Sequence, residues 1–203
     1  MSTRAAPARS TPVQFGRETP YCYDALDEFF EKDYAPEPCR AIHLGCGDGR
    51  TAVYIARMGF QVLGIDPDRD LLASARERAI MAELNIDLMG GDPLMLPPLP
   101  EESFGLAVDL WTAAEIPDGA ERVDFLRSLH KLLRRDGVLI SSAPAPKPRR
   151  GTKRKKTKAR APFAFASPFI SDFTRAGFRV VFEGVRQSPP GEPRLLVHAL
   201  RDD

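Results

Sequence analysis

Between Ala41 and Ile65 the chain reads strand, glycine-rich turn, helix, strand, and that order leaves few folds open. Ala41-Ile42-His43-Leu44 is a short apolar run entering the stretch HLGCGDGR, His43 to Arg50. Arg50 to Met58 then gathers Ala52, Val53, Ile55 and Ala56 on one helical face and stops at Gly59. Gln61 to Ile65 is a second apolar run, ended by Asp66-Pro67-Asp68. A helix between two strands carries the chain back to the same end of the sheet, so the strands run parallel. Parallel strands bury both faces, so helices must cover the sheet on both sides.

The pattern continues with a long helix from about Leu71 to Leu84, a strand over Ile86–Met89 and another over Leu106–Leu110. A helix over Ala120–Leu133 follows, then a strand over Gly137–Ser141, a helix over Ser167–Ala176, and strands over Arg179–Phe182 and Leu195–Leu200. A further helix, Tyr21 to Asp33, precedes the first strand and is stopped by Ala35-Pro36-Glu37-Pro38. The last two strands are joined by a Pro/Gly-rich stretch, Gln187 to Pro193, with no room for a crossover helix. The final strand is therefore expected to be antiparallel. The fold class is α/β: a Rossmann-like, doubly wound, mostly parallel seven-stranded sheet with an antiparallel last strand and helices on both faces. A chain of 203 residues suits one domain, placed at 21–203, behind a disordered tail at 1–20.

In such sheets the ligand lies at the carboxyl ends of the strands, where the strand order reverses. The glycine loop is the first candidate, and two ligand classes compete for it. Gly47-Asp48-Gly49-Arg50-Thr51-Ala52 fits G-x-G-x-x-A, and Asp66 follows at a distance suited to ribose hydroxyls, which would make an NAD-dependent oxidoreductase. Asp48 speaks against it, since a carboxylate in the turn repels a pyrophosphate held at the helix N-terminus.

A ligand with an adenosine, a positive centre and no phosphate removes that objection, and at this point the sequence resembles the class I S-adenosylmethionine-dependent methyltransferases. AIHLGCGDGRTAVYIARMGFQVLGIDPDRDLLASARERA is similar to the family's first nucleotide-binding unit. GGDPLMLPPLPEESFGLAV is similar to its adenine-binding acid and fourth strand. LHKLLRRDGVLISSAP resembles the family's helix, turn and fifth strand, and FTRAGFRVV its entry into the sixth. The resemblance spans about residues 38–201.

It implies a methyltransferase that uses S-adenosyl-L-methionine and moves its methyl group to an unidentified acceptor, a small molecule or RNA. It further implies that Gly45, Cys46, Gly47, Asp48 and Gly49 line the methionine portion of the cofactor. Asp66 would accept from the ribose hydroxyls and Asp92 from the adenine amine, with Pro67 and Pro93 as flat apolar contacts. Asp66 and Asp92 also read as caps of the next helix or turn. Asp109, Trp111 and Glu115, at and after the fourth strand, are the catalytic candidates, Asp109 also facing the methionine end. Trp111 reads equally as a substrate-side aromatic or as core, Cys46 as a filler in the turn, His130 as structural and Asp118 as a helix cap.

Three positions depart from the family pattern. His43 stands where the first strand carries an acid, Gly105 where the fourth begins Phe-Asp, and Pro93 where a main-chain N–H would reach the adenine. They leave room for an alternative: a catalytically degenerate relative acting as a binding module through its basic loop.

That loop lies within 143–165. Lys147 to Arg160, KPRRGTKRKKTKAR, holds nine Lys/Arg and no acid, so the rest of the chain keeps 20 basic against 28 acidic residues. A run of this kind is expected to be flexible, and reads either as a solvated linker or as an arm for RNA or an anionic acceptor. Cys22, Cys39 and Cys46 form no disulfide framework, which points to the cytoplasm. Cys39, His43 and Cys46 lack a fourth ligand, so no metal is expected, and no stretch is apolar enough for a membrane span.

Overall fold

A computed structural model describes residues 20–145, 168–186 and 193–202, the side chains from residue 24 onward. Residues 1–19, the run Lys147–Arg160 and most of the Gln187–Pro193 connection lie outside the described residues, so the expectations placed on them are untouched. Ala143 and Pro144, assigned to the loop by sequence, are instead the end of a strand.

The elements alternate as expected: α1 (Pro20–Phe30), β1 (Arg40–Leu44), α2 (Arg50–Arg57), β2 (Gln61–Asp66), α3 (Arg69–Met81), β3 (Asp87–Gly90) and β4 (Phe104–Asp109). They continue with α4 (Thr112–Glu115), α5 (Ala120–Leu132), β5 (Leu133–Pro144), α6 (Pro168–Arg175), β6 (Arg179–Arg186) and β7 (Arg194–Leu200). The short helix α4 had no signal in the sequence, being one turn long. The start of α3 lies two residues before the expected Leu71 because Asp68 caps it, accepting from the N–H groups of Asp70 and Leu71 at 2.9 and 3.1 Å. Its end is early because Glu83 turns left-handed at φ 56°. β6 runs on to Arg186, beyond the expected Phe182, because β7 pairs with it along that length.

The seven strands form one sheet in the order β3-β2-β1-β4-β5-β7-β6. β1 to β5 pair in parallel, while β7 is antiparallel to both β5 and β6. The hairpin β6–β7 thus returns its second strand to the inside of the sheet. Successive residues of each inner strand serve opposite cores. Ile42, Leu44, Ala107 and Leu139 face α5 and α6, packing with Leu126, Leu129, Phe169 and Phe173. Ala41, Leu106, Val108, Val138 and Ile140 face α1 and α2, packing with Leu26, Phe29, Ala52 and Ile55. All six residues of β4 are buried, as its central place demands. Among the described residues no helix is long and apolar enough to cross a membrane.

The chain leaves β1 toward β2 on one side and later returns to β4 on the other. The crevice between the carboxyl ends of β1 and β4 is therefore the switch point, and the glycine loop and α4 are its two lips.

Candidate active site

The loop after β1 is held by backbone geometry that only glycine adopts cheaply. Gly45, Gly47 and Gly49 have φ of 61°, 52° and 80°. Each does something different. A Cβ on Gly49 would stand 2.7 Å from that of Ala75, so its bareness lets α3 pack against the loop. A Cβ on Gly45 would come within 3.2 Å of Thr112 Oγ1, so the loop and α4 approach closely across the switch point. A Cβ on Gly47 would meet nothing within 4 Å. Of the three, Gly47 is the one that leaves a cradle open.

Asp66 ends β2 beside it and is 7% exposed. One carboxylate oxygen accepts from the Gly47 N–H at 2.7 Å, the other from the Asp68 N–H at 2.9 Å. Each oxygen keeps a second lone pair, so ribose hydroxyls can still be accepted. Asp92, after β3, is exposed and accepts from the Leu94 N–H at 2.9 Å, an Asx turn that fixes its carboxylate. Pro93 is buried and Pro67 exposed. The cradle at Gly47 and carboxylates at the ends of two adjacent strands fit an adenosine with a positive centre.

Asp48 does not offer the free charge expected of it. Its carboxylate pairs with Arg50 at 2.7 Å and Arg78 at 3.0 Å, and Arg78 Nε donates to its carbonyl at 3.1 Å. Arg78 reaches the loop from α3, thirty residues on, and had no sequence signal. Cys46 fills the turn: its Sγ lies 2.8 Å from where a Gly64 Cβ would stand. Burial, with the Asp66 carboxylate beside it, pushes the thiol up to about 12, so it is inert at neutral pH. His43 is buried in β1 with Nδ1 unpartnered, and burial lowers it to about 4. It is neutral near pH 7 and brings no negative charge to the position.

At the end of β4 the structure divides the three catalytic candidates. Asp109 is 0% exposed and accepts four hydrogen bonds: from the N–H groups of Trp111 (3.3 Å), Thr112 (2.7 Å) and Ala113 (3.0 Å), and from Ser141 Oγ (3.1 Å). It is the anchor of α4, enclosed by its donors; burial raises its pKa while those bonds oppose the rise. Trp111 is 52% exposed, which removes the core reading. Its indole N–H donates to Glu115, itself exposed, and the guanidinium of Arg194 lies over the ring at 4.4 Å from the centroid. Arg194 comes from β7 and donates to the carbonyl of Leu110 (2.7 Å) and to Ser142 Oγ (3.0 Å).

The other end of α4 is fastened by Arg122, 4% exposed, whose guanidinium donates to the carbonyls of Ala113 and Ile116. It also pairs with Asp118 and Asp172, the latter at 3.3 Å. Asp118 therefore ties down Arg122 and does not cap α5, whose N-cap position, Gly119, has no side-chain bond. His130 is structural as expected, packing edge-on against Phe178. The departure at Gly105 has a packing cause: a Cβ there would stand 2.4 Å from Cys39 Sγ and 3.0 Å from Arg134 Nε.

Residues 42–141 match the family described as methyltransferase domain. A ubiquinone biosynthesis O-methyltransferase of Bradyrhizobium diazoefficiens is 26% identical over 138 residues, covering 66% of this chain and 51% of that protein. The chain spans about half the length of the curated relatives it matches. Among solved structures, an S-adenosylmethionine-dependent methyltransferase of Mesorhizobium loti is 22% identical with a TM-score of 0.64, covering 88% of this chain and 97% of that one. Magnesium protoporphyrin IX methyltransferase of Synechocystis PCC 6803 with bound S-adenosylmethionine is 20% identical with a TM-score of 0.65, covering 89% and 78%. At these identities the two structures share the fold.

Proposed function

We propose that this chain, a member of the class I S-adenosylmethionine-dependent methyltransferase family, binds S-adenosylmethionine across the ends of β1, β2 and β3 and transfers its methyl group to an acceptor at the end of β4. The observation that carries this reading is the open cradle at Gly47 beside the Asp66 carboxylate. The bound cofactor supplies an electrophilic methyl group on a sulfonium; the chain supplies place and orientation. The loop lets the methionine portion pass along bare backbone, Asp66 accepts from the ribose hydroxyls, and Asp92 from the adenine amine. Pro93, having no N–H, contributes an apolar surface only.

The acceptor is a small molecule or RNA. The relative from Bradyrhizobium, an O-methyltransferase by name, supports a hydroxyl acceptor. A hydroxyl must shed its proton, and with Asp109 sealed in the interior, exposed Glu115 is the carboxylate this edge offers to take it.

Calorimetry with S-adenosylmethionine, its demethylated product S-adenosylhomocysteine, and NAD tests the cofactor. Tight NAD binding with no heat from the other two ends the methyltransferase reading. Methyl transfer from labelled cofactor to small-molecule and RNA pools then tests the reaction. A second reading, a binding module that retains the fold without transfer, is favoured by one observation: His43 is buried and neutral where the family carries an acid. Cofactor binding without transfer to any pool selects it.

A further inference from the structure

α4 is a turn of four residues, too short to be held by a hydrogen-bond ladder of its own, yet it carries Glu115 and directly follows Trp111 on the acceptor side of the crevice. Its start is fixed by Asp109 from β4. Its carbonyls at Ala113 and just past its end at Ile116, which a longer helix would satisfy internally, accept instead from Arg122 Nε (2.9 Å) and Nη2. The third guanidinium nitrogen, Nη1, pairs with exposed Asp118 and, at 3.3 Å, with Asp172. Asp172 comes from α6 and is as buried as Arg122. One of its oxygens takes Arg122 and the Gly119 N–H at 3.4 Å, the other takes Arg175 at 2.9 Å. The Phe169 ring, one turn earlier in α6, lies 5.0 Å from the Arg122 guanidinium. A buried ion pair gains little stability, because desolvating both charges offsets most of their attraction. What it supplies, and an apolar pair does not, is direction: a planar fork of donors aimed at fixed acceptors.

We infer that Arg122 and Asp172 are positioning residues for the acceptor side of the site: the pair sets where α4 holds Trp111 and Glu115, and so makes that lip of the crevice answer to α6. This rests on the methyltransferase reading above and deepens it. Both residues are buried, so they act through α4 and not on the acceptor itself. Asp118 is exposed and by itself answers the charge of Arg122 from the solvent side only. Asp172 adds a fixed point in the interior, and with it the fork is turned toward the α4 carbonyls.

The test uses the full chain, free and saturated with S-adenosylhomocysteine. Trp111 is the only tryptophan in the sequence and its indole is bonded to Glu115 of α4, so acrylamide quenching of its emission reports the order of this lip. Arg122→Lys is the deciding variant. It keeps a positive charge beside Asp172, so the urea midpoint should stay close to that of the wild type. One ammonium cannot serve both carbonyls and both carboxylates, however, so the quenching constant should rise about twofold. Asp172→Asn, which keeps the shape and loses the charge, should raise it by a similar factor. The double variant should go no further, because the two residues act as one unit. Arg175→Gln removes the other, exposed partner of Asp172 and should leave quenching unchanged. Leu26→Val, which loosens the core on the opposite face of the sheet, should leave it unchanged too, and this separates position from stability. In every variant S-adenosylhomocysteine affinity should stay within about twofold, since Asp66 and its bond to Gly47 are untouched. Wild-type quenching in either Arg122→Lys or Asp172→Asn, additive effects in the double variant, or an equal rise in Arg175→Gln or Leu26→Val overturns the inference. Failure of the wild-type chain to bind S-adenosylhomocysteine removes the parent reading alone, since the quenching comparison is also made on the free chain.

Discussion

The main-chain N–H of Gly47 donates to a carboxylate oxygen of Asp66 at 2.7 Å, tying the turn after β1 to the end of β2. The residue expected to bind ribose is therefore also the one that shapes the loop. Asp66→Ala removes the acceptor for Gly47 and Asp68 as well as the bond to the ligand. It should weaken S-adenosylhomocysteine binding by on the order of 1.5–3 kcal/mol and lower stability by about 1–3 kcal/mol. Calorimetry and urea unfolding on the same variant separate the two effects; unchanged binding with lowered stability would leave Asp66 a purely structural residue.

Gly47 and Gly49 predict opposite patterns of damage. Gly49→Ala drives a methyl group into Ala75 at 2.7 Å on top of a left-handed φ, so α3 must move and stability should fall well beyond the backbone cost. Gly47→Ala meets open space and should cost only the left-handed penalty of roughly 1–2 kcal/mol. Its methyl group would, however, stand in the cofactor cradle. Thermal unfolding should rank Gly49→Ala as the less stable, and cofactor titration should show Gly47→Ala binding poorly despite its fold.

Asp109→Ala strips the acceptor from the buried N–H groups of Thr112 and Ala113, the part-buried N–H of Trp111, and Ser141. A stability loss on the order of 3 kcal/mol or more is expected. Methyl transfer should fall with it, because α4 loses its anchor. Glu115→Gln should behave otherwise, with stability nearly unchanged and transfer reduced. A stable, cofactor-binding but inactive Asp109 variant would return the residue to the chemistry.

Acid should unfold this protein through its histidines. His43 and His198 are buried and both lowered to about 4 from an ordinary value of 6.5. His198 lies against Phe182 and Phe29, accepts or donates at Tyr34, and faces the charges of Glu28, Lys32 and Arg186. The folded values lie below the unfolded one, so the unfolded chain binds more protons between pH 6.5 and 4. Stability is complete above about 6.5 and is lost as pH falls toward about 4, by about 3 kcal/mol for each residue in the limit. Urea midpoints followed from neutral pH down to about 4.5 should drop accordingly, and His43→Leu should flatten the curve.

The run Lys147–Arg160 follows β5, which ends at Pro144, closely in sequence. Deleting Arg149 to Arg160 should abolish salt-sensitive RNA binding, whose slope on a log-log plot changes by roughly 0.7 for each phosphate that is no longer neutralised. Cofactor affinity should be untouched. RNA affinity that is the same with and without the segment would make it a linker.

The strands, the helices other than α4, and the glycine loop were legible because each is written in neighbouring residues: apolar periodicity, glycine spacing, an aspartate ahead of a helix. The parallel sheet followed from the βαβ order alone, and the antiparallel last strand from a connection too short to cross over. Where β7 lies was not legible, since its place between β5 and β6 is a long-range pairing that no local pattern encodes. Only the folded chain could bring Arg78 to Asp48, Arg122 to α4 and Arg194 to Trp111, pairs whose energy depends on distances that no local pattern encodes. Asp109 shows the same limit most clearly. Its sequence position suggested chemistry, but four donors arriving from α4 and β5 enclose it, and burial of a carboxylate is a property of its surroundings.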